Sequence, residues 1–124
     1  MQSPMKKDHV RFVCISDTHN RHDQVILPPG DVLLHAGDFT MAGRYEEFEI
    51  FCRFLERVKS LYKYVIVIAG NHELTLDNTQ SIDAASKGKV EEKFKLREML
   101  QKHCVYLEDE EVEIFGIRIY GTPW

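Results

Sequence analysis

Tyr64-Val65-Ile66-Val67-Ile68-Ala69-Gly70-Asn71-His72-Glu73 decides the fold. Six apolar residues in a row, four of them β-branched, favour a strand over a helix. The run is apolar at odd and even positions alike, so both faces of the strand are buried. That is the pattern of a central strand in a parallel sheet covered on both sides. The strand ends abruptly at a glycine, and an amide, an imidazole and a carboxylate follow at once.

Two further stretches repeat the design. Val10 to Ile15 is a short apolar run that leads through Ser16 into Asp17-Thr18-His19. Asp31 to Ala36 is a second, ending at Gly37-Asp38. Pro28-Pro29-Gly30 separates them as a break. Strand geometry turns residues i and i+2 to the same side, so Asp17 and His19 can aim an oxygen and a nitrogen at one point. Sites in open parallel sheets form at the C-terminal edge of the strands. Three strand ends therefore bring Asp17, His19, Asp38, Asn71 and His72 to one rim. Oxygen and nitrogen donors without thiolate suit Mn, Fe, Zn or Mg. Asp38, at the central strand end, has two oxygens and can bridge two ions. Two ions roughly 3.5–4 Å apart activate a shared water and stabilise an in-line phosphoryl displacement. Gly37 and Gly70 let the backbone turn sharply and keep Cβ atoms out of the way.

Between these stretches, Tyr45, Phe48, Phe51, Leu55, Val58 and Tyr62 recur at three- and four-residue steps, which predicts an amphipathic helix over 44–61. Glu46, Glu47, Glu49, Arg53, Glu56, Arg57 and Lys59 form its expected solvated face. Residues 74–88 read as loop with a helical turn at most, and Val90 to His103 as a second helix. Cys104 to Leu107 is a short strand. Val112 to Phe115 and Ile117 to Tyr120, joined at Gly116, make a hairpin. The order strand, strand, helix, strand, helix, strand, hairpin reads as α/β with the first strands parallel. No P-loop, G-x-G-x-x-G or G-x-S-x-G is present.

With 124 residues, 44% hydrophobic and 29% charged, the chain is long enough for one globular domain. A net charge of -4 and the lack of a basic block argue against nucleic-acid binding. A phosphorylated substrate is compatible with that charge, because bound ions supply positive charge locally. Three cysteines, Cys14, Cys52 and Cys104, without a C-x-x-C argue for a reducing, cytoplasmic setting. Cys14 and Cys52 are expected to be small buried hydrophobes. The first nine residues carry no apolar segment after Lys6-Lys7 and so do not read as a signal peptide; they are expected to be a frayed lead-in to one domain over 10–124. No apolar run is long enough for a bilayer, and Met1-Gln2 excludes N-myristoylation.

The wording V-C-I-S-D-T-H, D-V-L-L-H-A-G-D-F-T, V-I-A-G-N-H-E-L and R-I-Y-G-T-P-W resembles the calcineurin-like metallophosphoesterase superfamily. It is similar within that superfamily to the metallophosphoesterase-domain-containing proteins of animals, from about Arg11 to Trp124. The resemblance implies that Asp17 and His19 hold a first metal, Asp38 bridges two, and Asn71 holds the second through its amide oxygen. It implies that His72 contacts the phosphate and protonates the leaving group, with Glu73 orienting it. It also implies phosphoester substrates, among them phosphodiesters such as cyclic nucleotides. His35 is expected as a buried, hydrogen-bonded histidine behind the ligands, and Asn20 as a neighbour of substrate. His9, His22 and His103 are expected to face solvent, and Trp124 to pack in a core or interface.

Members of this superfamily continue with a further metal-binding histidine, a G-H-x-H motif and the second sheet of an α/β-β/α sandwich. None of these follows Asn71-His72 here, where His103 is the sole later histidine. The expectation is therefore the N-terminal half of such a sandwich, with one apolar sheet face bare and open to self-association. Two functions compete on this reading. One is a dinuclear-metal phosphoesterase; the other is a short, catalytically incompetent form that binds metal weakly and acts through protein association.

Overall fold

In the computed structural model, residues 8–76 and 87–123 are described. Most of the expected lead-in at 1–9, residues 77–86 of the expected loop, and Trp124 lie outside them. Four strands form a parallel sheet in the order β1-β2-β3-β4. They are β1 (Phe12–Ile15), β2 (Val32–His35), β3 (Tyr64–Val67) and β4 (Val105–Tyr106). Helix α1 (Tyr45–Val58) links β2 to β3, and α2 (Lys87–Gln101) precedes β4. Strands β5 (Glu110–Ile114) and β6 (Ile117–Gly121) form a separate antiparallel hairpin. The α/β class, the parallel sheet, the two helices and the hairpin are as the patterning predicts.

The register explains why β3 is apolar throughout. Val65, Val67 and Ala69 enter one core with Phe39, Phe48, Phe51, Phe54, Leu55, Leu96 and Leu100 beneath the helices. Tyr64, Ile66 and Ile68 enter a second core with Val32, Leu107, Ile114 and Ile119 beneath the hairpin. Each face needs its own cover, and an uninterrupted apolar strand supplies both. The hairpin thus covers much of the sheet face expected to be bare, with Ile66 only 3% exposed.

Three expectations are corrected. Cys14 is exposed, because β1 is an edge strand and Cys14 shares a face with Phe12 at the sheet margin. Glu47, assigned above to the solvated face of α1, is buried, whereas Tyr45, assigned to the apolar face, is largely exposed. The first helical turn faces the loop after β2 rather than the sheet, so periodicity alone misplaces it. His22 is buried: a 3-10 turn at His22–Gln24 lays its ring on Phe54, with centroids 5.0 Å apart and planes 9° from parallel. His9 is exposed, and His103 is half-buried beside Glu56 at 2.6 Å.

Candidate metal centre

The hydrogen-bond ladder of the sheet runs on past the strand ends. The backbone N–H groups of Asp17, His19 and Asn20 donate to the carbonyls of Gly37, Asp38 and Phe39 at 2.9, 3.1 and 3.1 Å. The loop after β1 is therefore fastened, residue by residue, to the loop after β2. Keeping that ladder through two sharp turns puts Asp17, His19, Asn20 and Asp38 in the left-handed region, with φ of 56°, 40°, 67° and 57°. Asp, Asn and His are the non-glycine residues that enter this region most readily, but each still carries strain.

The loops after β2 and β3 touch closely enough to require both glycines. A Cβ on Gly37 would stand 2.7 Å from the Gly70 nitrogen, and φ there is +99°. His72 N–H in turn donates to Asp38 Oδ1 at 2.9 Å. Three strand ends are thereby tied into one rim.

On this rim His19, Asp38 and His72 offer ligand atoms that all lie within 4.8 Å of one another. The two rings meet edge-on with centroids 4.6 Å apart. His19 Nδ1 lies 3.0 Å from the Thr40 carbonyl and His72 Nδ1 lies 2.6 Å from the Met41 carbonyl. A carbonyl can only accept, so each Nδ1 carries the proton and each neutral ring leaves Nε2 bare. Such an outward N–H to a carbonyl accompanies metal-ligating histidines, because it fixes tautomer and ring orientation. Asp17 stands at the margin, with Oδ1 3.9 Å from His19 Nε2 and its side chain 62% exposed. The Ser16 hydroxyl, 2.5 Å from Asp17 Oδ2, is the main reason its carboxyl sits below the usual range, with Asp38 and His19 adding to it.

Asn71 lies against Asp38. One arm of its amide is 2.9 Å from Asp38 Oδ2 and 3.1 Å from Oδ1. With nitrogen on that arm it donates to both oxygens; with oxygen there, acceptor faces acceptor and a cation must stand between them. His19, Asp38 and His72 thus gather nitrogen and oxygen ligand atoms at one point, with Asn71 beside them. The donor set fits a divalent ion bound through nitrogen and oxygen.

Behind the ligands lie three buried groups. His35 Nδ1 accepts from the Gly37 N–H at 3.2 Å, so its Nε2 carries the proton and donates to Thr18 Oγ1 at 2.9 Å. Burial, the main cause, lowers its pKa to about 3, and the ring stays neutral. Glu73 is fully buried and accepts from the N–H groups of Asp38, Gly70, Thr40 and Phe39 at 2.7, 3.0, 3.2 and 3.3 Å, and from Thr40 Oγ1 at 2.8 Å. It shapes the Asp38 loop rather than the His72 ring to which the motif assigns it.

Glu47 is the third, and the sequence reading missed it. Its carboxylate accepts from Asn20 Nδ2 at 2.7 Å and from the N–H groups of Met41 (2.6 Å), Ala42 (3.1 Å) and Arg44 (3.1 Å). Asn20 is thus turned to Glu47, with its Oδ1 buried and unpartnered. The available signal was position: an acid three residues after the Arg44 cap, where a helix-start carboxylate reaches back to the cap amide.

A parallel α/β sheet whose strand-end loops gather nitrogen and oxygen donors defines a class, that of α/β folds with a candidate metal site at the strand ends. The chain belongs to the calcineurin-like phosphoesterase family, whose family model matches residues 10–118. It is 44% identical over 132 residues to metallophosphoesterase domain-containing protein 1 of Homo sapiens, a match covering 98% of this chain and 40% of that protein. It is 42% identical over 145 residues to a UPF0046 protein of Caenorhabditis elegans, covering 100% of this chain and 35% of that one. The chain thus spans well under half the length of these relatives. Its fold is similar to that of phosphopantetheinyl hydrolase from Mycobacterium tuberculosis, with TM-score 0.54 and 22% identity over 84% of this chain and 37% of that one.

Proposed function

We propose that this chain carries the metal-binding half-site of a phosphoesterase that hydrolyses phosphomono- or phosphodiesters with two divalent ions. The convergence of His19, Asp38 and His72 on one point, with the Asn71 amide against Asp38, carries this reading. Asp17, His19 and Asp38 would hold one ion, and Asp38 with Asn71 the other. Bound ions would supply an activated water and positive charge against the phosphoryl oxygens.

The chain's own contribution is orientation and proton placement. His72 reaches the rim with Nδ1–H anchored on Met41, so its free atom is Nε2. As imidazole that atom is a ligand or acceptor; only as imidazolium does it donate to a departing alkoxide. Its geometry among His19 and Asp38 makes it a further ligand candidate as well as the general acid implied by the motif. Among the described residues no helix is long and apolar enough to cross a membrane. Three unpaired cysteines support a reducing, cytoplasmic setting.

The test is Mn-dependent hydrolysis of bis-p-nitrophenyl phosphate, repeated with Fe, Zn and Mg, beside Asp38→Asn. Hydrolysis that Asp38→Asn abolishes is expected, from this chain or from a longer chain that contains it. A longer chain that binds metal but hydrolyses nothing under any ion would support the non-catalytic, association-based reading and overturn this one.

A further inference from the structure

We propose that Glu47 is a positioning residue that sets the tautomer and aim of both rim imidazoles through the backbone of the 40–44 loop. The inference rests on the metal-centre reading. Two successive carbonyls, Thr40 and Met41, each hold one Nδ1–H, of His19 and His72 respectively. The Thr40 hydroxyl steadies its own residue, donating to Glu73 at 2.8 Å and accepting from the Gly43 N–H at 3.0 Å, but it makes no bond to either carbonyl. The loop is fixed by the amide N–H groups that point the other way. Met41, Ala42 and Arg44 all donate to Glu47, and Thr40 donates to Glu73.

Both oxygens of Glu47 are in use. Oε2 takes the Met41 N–H and Asn20 Nδ2, and Oε1 takes the Ala42 and Arg44 N–H groups. Only an acceptor on both arms satisfies this arrangement. A glutamine keeps the shape but turns one arm into a donor, facing either Met41 and Asn20 or Ala42 and Arg44. Either the 40–41 peptide, which carries the Thr40 carbonyl, or the 41–42 peptide, which carries the Met41 carbonyl, then loses its acceptor, and because the two are consecutive both carbonyls lose direction. Asn20, which follows His19 directly, ties the same carboxylate to the loop after β1.

Glu47 is 8% exposed, and among the described residues these backbone donors take the place of a cation. A helix-start cap alone needs one amide, that of Arg44. The further reach to Met41, Ala42 and Asn20 is what cap duty leaves unexplained.

The experiment is ¹⁵N-resolved histidine NMR on the metal-free 124-residue chain at neutral pH, which reads the proton on each ring nitrogen. In the wild type, His19 and His72 are expected as Nδ1–H tautomers. Glu47→Gln is expected to spread both rings over the two tautomers while His35, held by Thr18 and Gly37, keeps Nε2–H. Mn affinity by calorimetry is expected to fall about 10- to 100-fold. Glu47→Asp, which keeps two acceptor oxygens on a shorter arm, is expected to lie between.

A bare Nδ1 on either rim ring in the wild type overturns the proposal, and needs no variant. So do unchanged tautomers in a folded Glu47→Gln. If Glu47→Gln does not fold, Glu47→Asp decides: wild-type tautomers and Mn affinity overturn the proposal, and a shift in both supports it. Failure of these tests leaves the phosphoesterase reading untouched, while absence of hydrolysis leaves the tautomer result standing.

Discussion

Gly70 and Asp38 occupy the same small volume: a Cβ on Gly70 would stand 2.6 Å from the Asp38 nitrogen and against its carboxylate. No flexible side chain can yield there, because the obstacle includes backbone. Gly70→Ala is therefore expected to push the Asp38 loop off the β3 end. The cost should be about 1–3 kcal/mol, the range for overpacking a tight site. Thermal unfolding measures it, and Mn binding should weaken alongside. An alanine variant of wild-type stability and Mn affinity would contradict the closeness of the two loops.

Glu73 accepts from four backbone N–H groups and one hydroxyl in a site without solvent. Hydrogen bonds to a charged group contribute about 1.5–3 kcal/mol each at most, and a buried donor left unpaired is penalised. Glu73→Gln puts an NH₂ where donors converge. It is expected to cost roughly 3 kcal/mol in urea unfolding with an unchanged m-value, and to broaden the amide resonances of Asp38 and Thr40. A change below about 0.5 kcal/mol would show that the carboxylate is dispensable.

His22 gives the fold an acid limit. Burial, the main cause, lowers its pKa to about 4 from an ordinary 6.5, and both ring nitrogens lack partners. The unfolded chain binds a proton on this ring below pH 6.5, whereas the folded one resists until about pH 4. Stability from this group is whole above pH 6.5 and is lost as pH falls from 6.5 toward 4. The loss is on the order of 3 kcal/mol. His22→Phe, stacked on Phe54, is expected to flatten the stability profile across that window. An unchanged profile would place the sensitivity in His35, whose pKa is lowered in the same direction.

The architecture was legible because each strand carries its own instruction. The unbroken apolar run Tyr64 to Ala69 demands two covered faces, and the two cores supply them. The strand-end residues Asp17, Asp38, Asn71 and His72 could be placed on one rim because parallel strands share a direction. What periodicity could not show lies where one loop packs on another. Glu47 reads as a solvated helical acid until the 40–44 loop folds over it. His22 reads as a polar loop residue until a 3-10 turn lays it on Phe54. Cys14 has the alternation of a buried position but sits on an edge strand, and strand order follows from pairing rather than from local pattern.

Among the described residues the ladder of β5 and β6 stays within the hairpin, which meets the four-strand sheet through apolar side chains such as Val112, Ile114 and Ile119. Adhesion of that kind is driven largely by the release of water and weakens on cooling. The metal rim, by contrast, is held by directed hydrogen bonds from backbone to backbone. Chilling the protein should therefore loosen the hairpin from the sheet before it disturbs the rim.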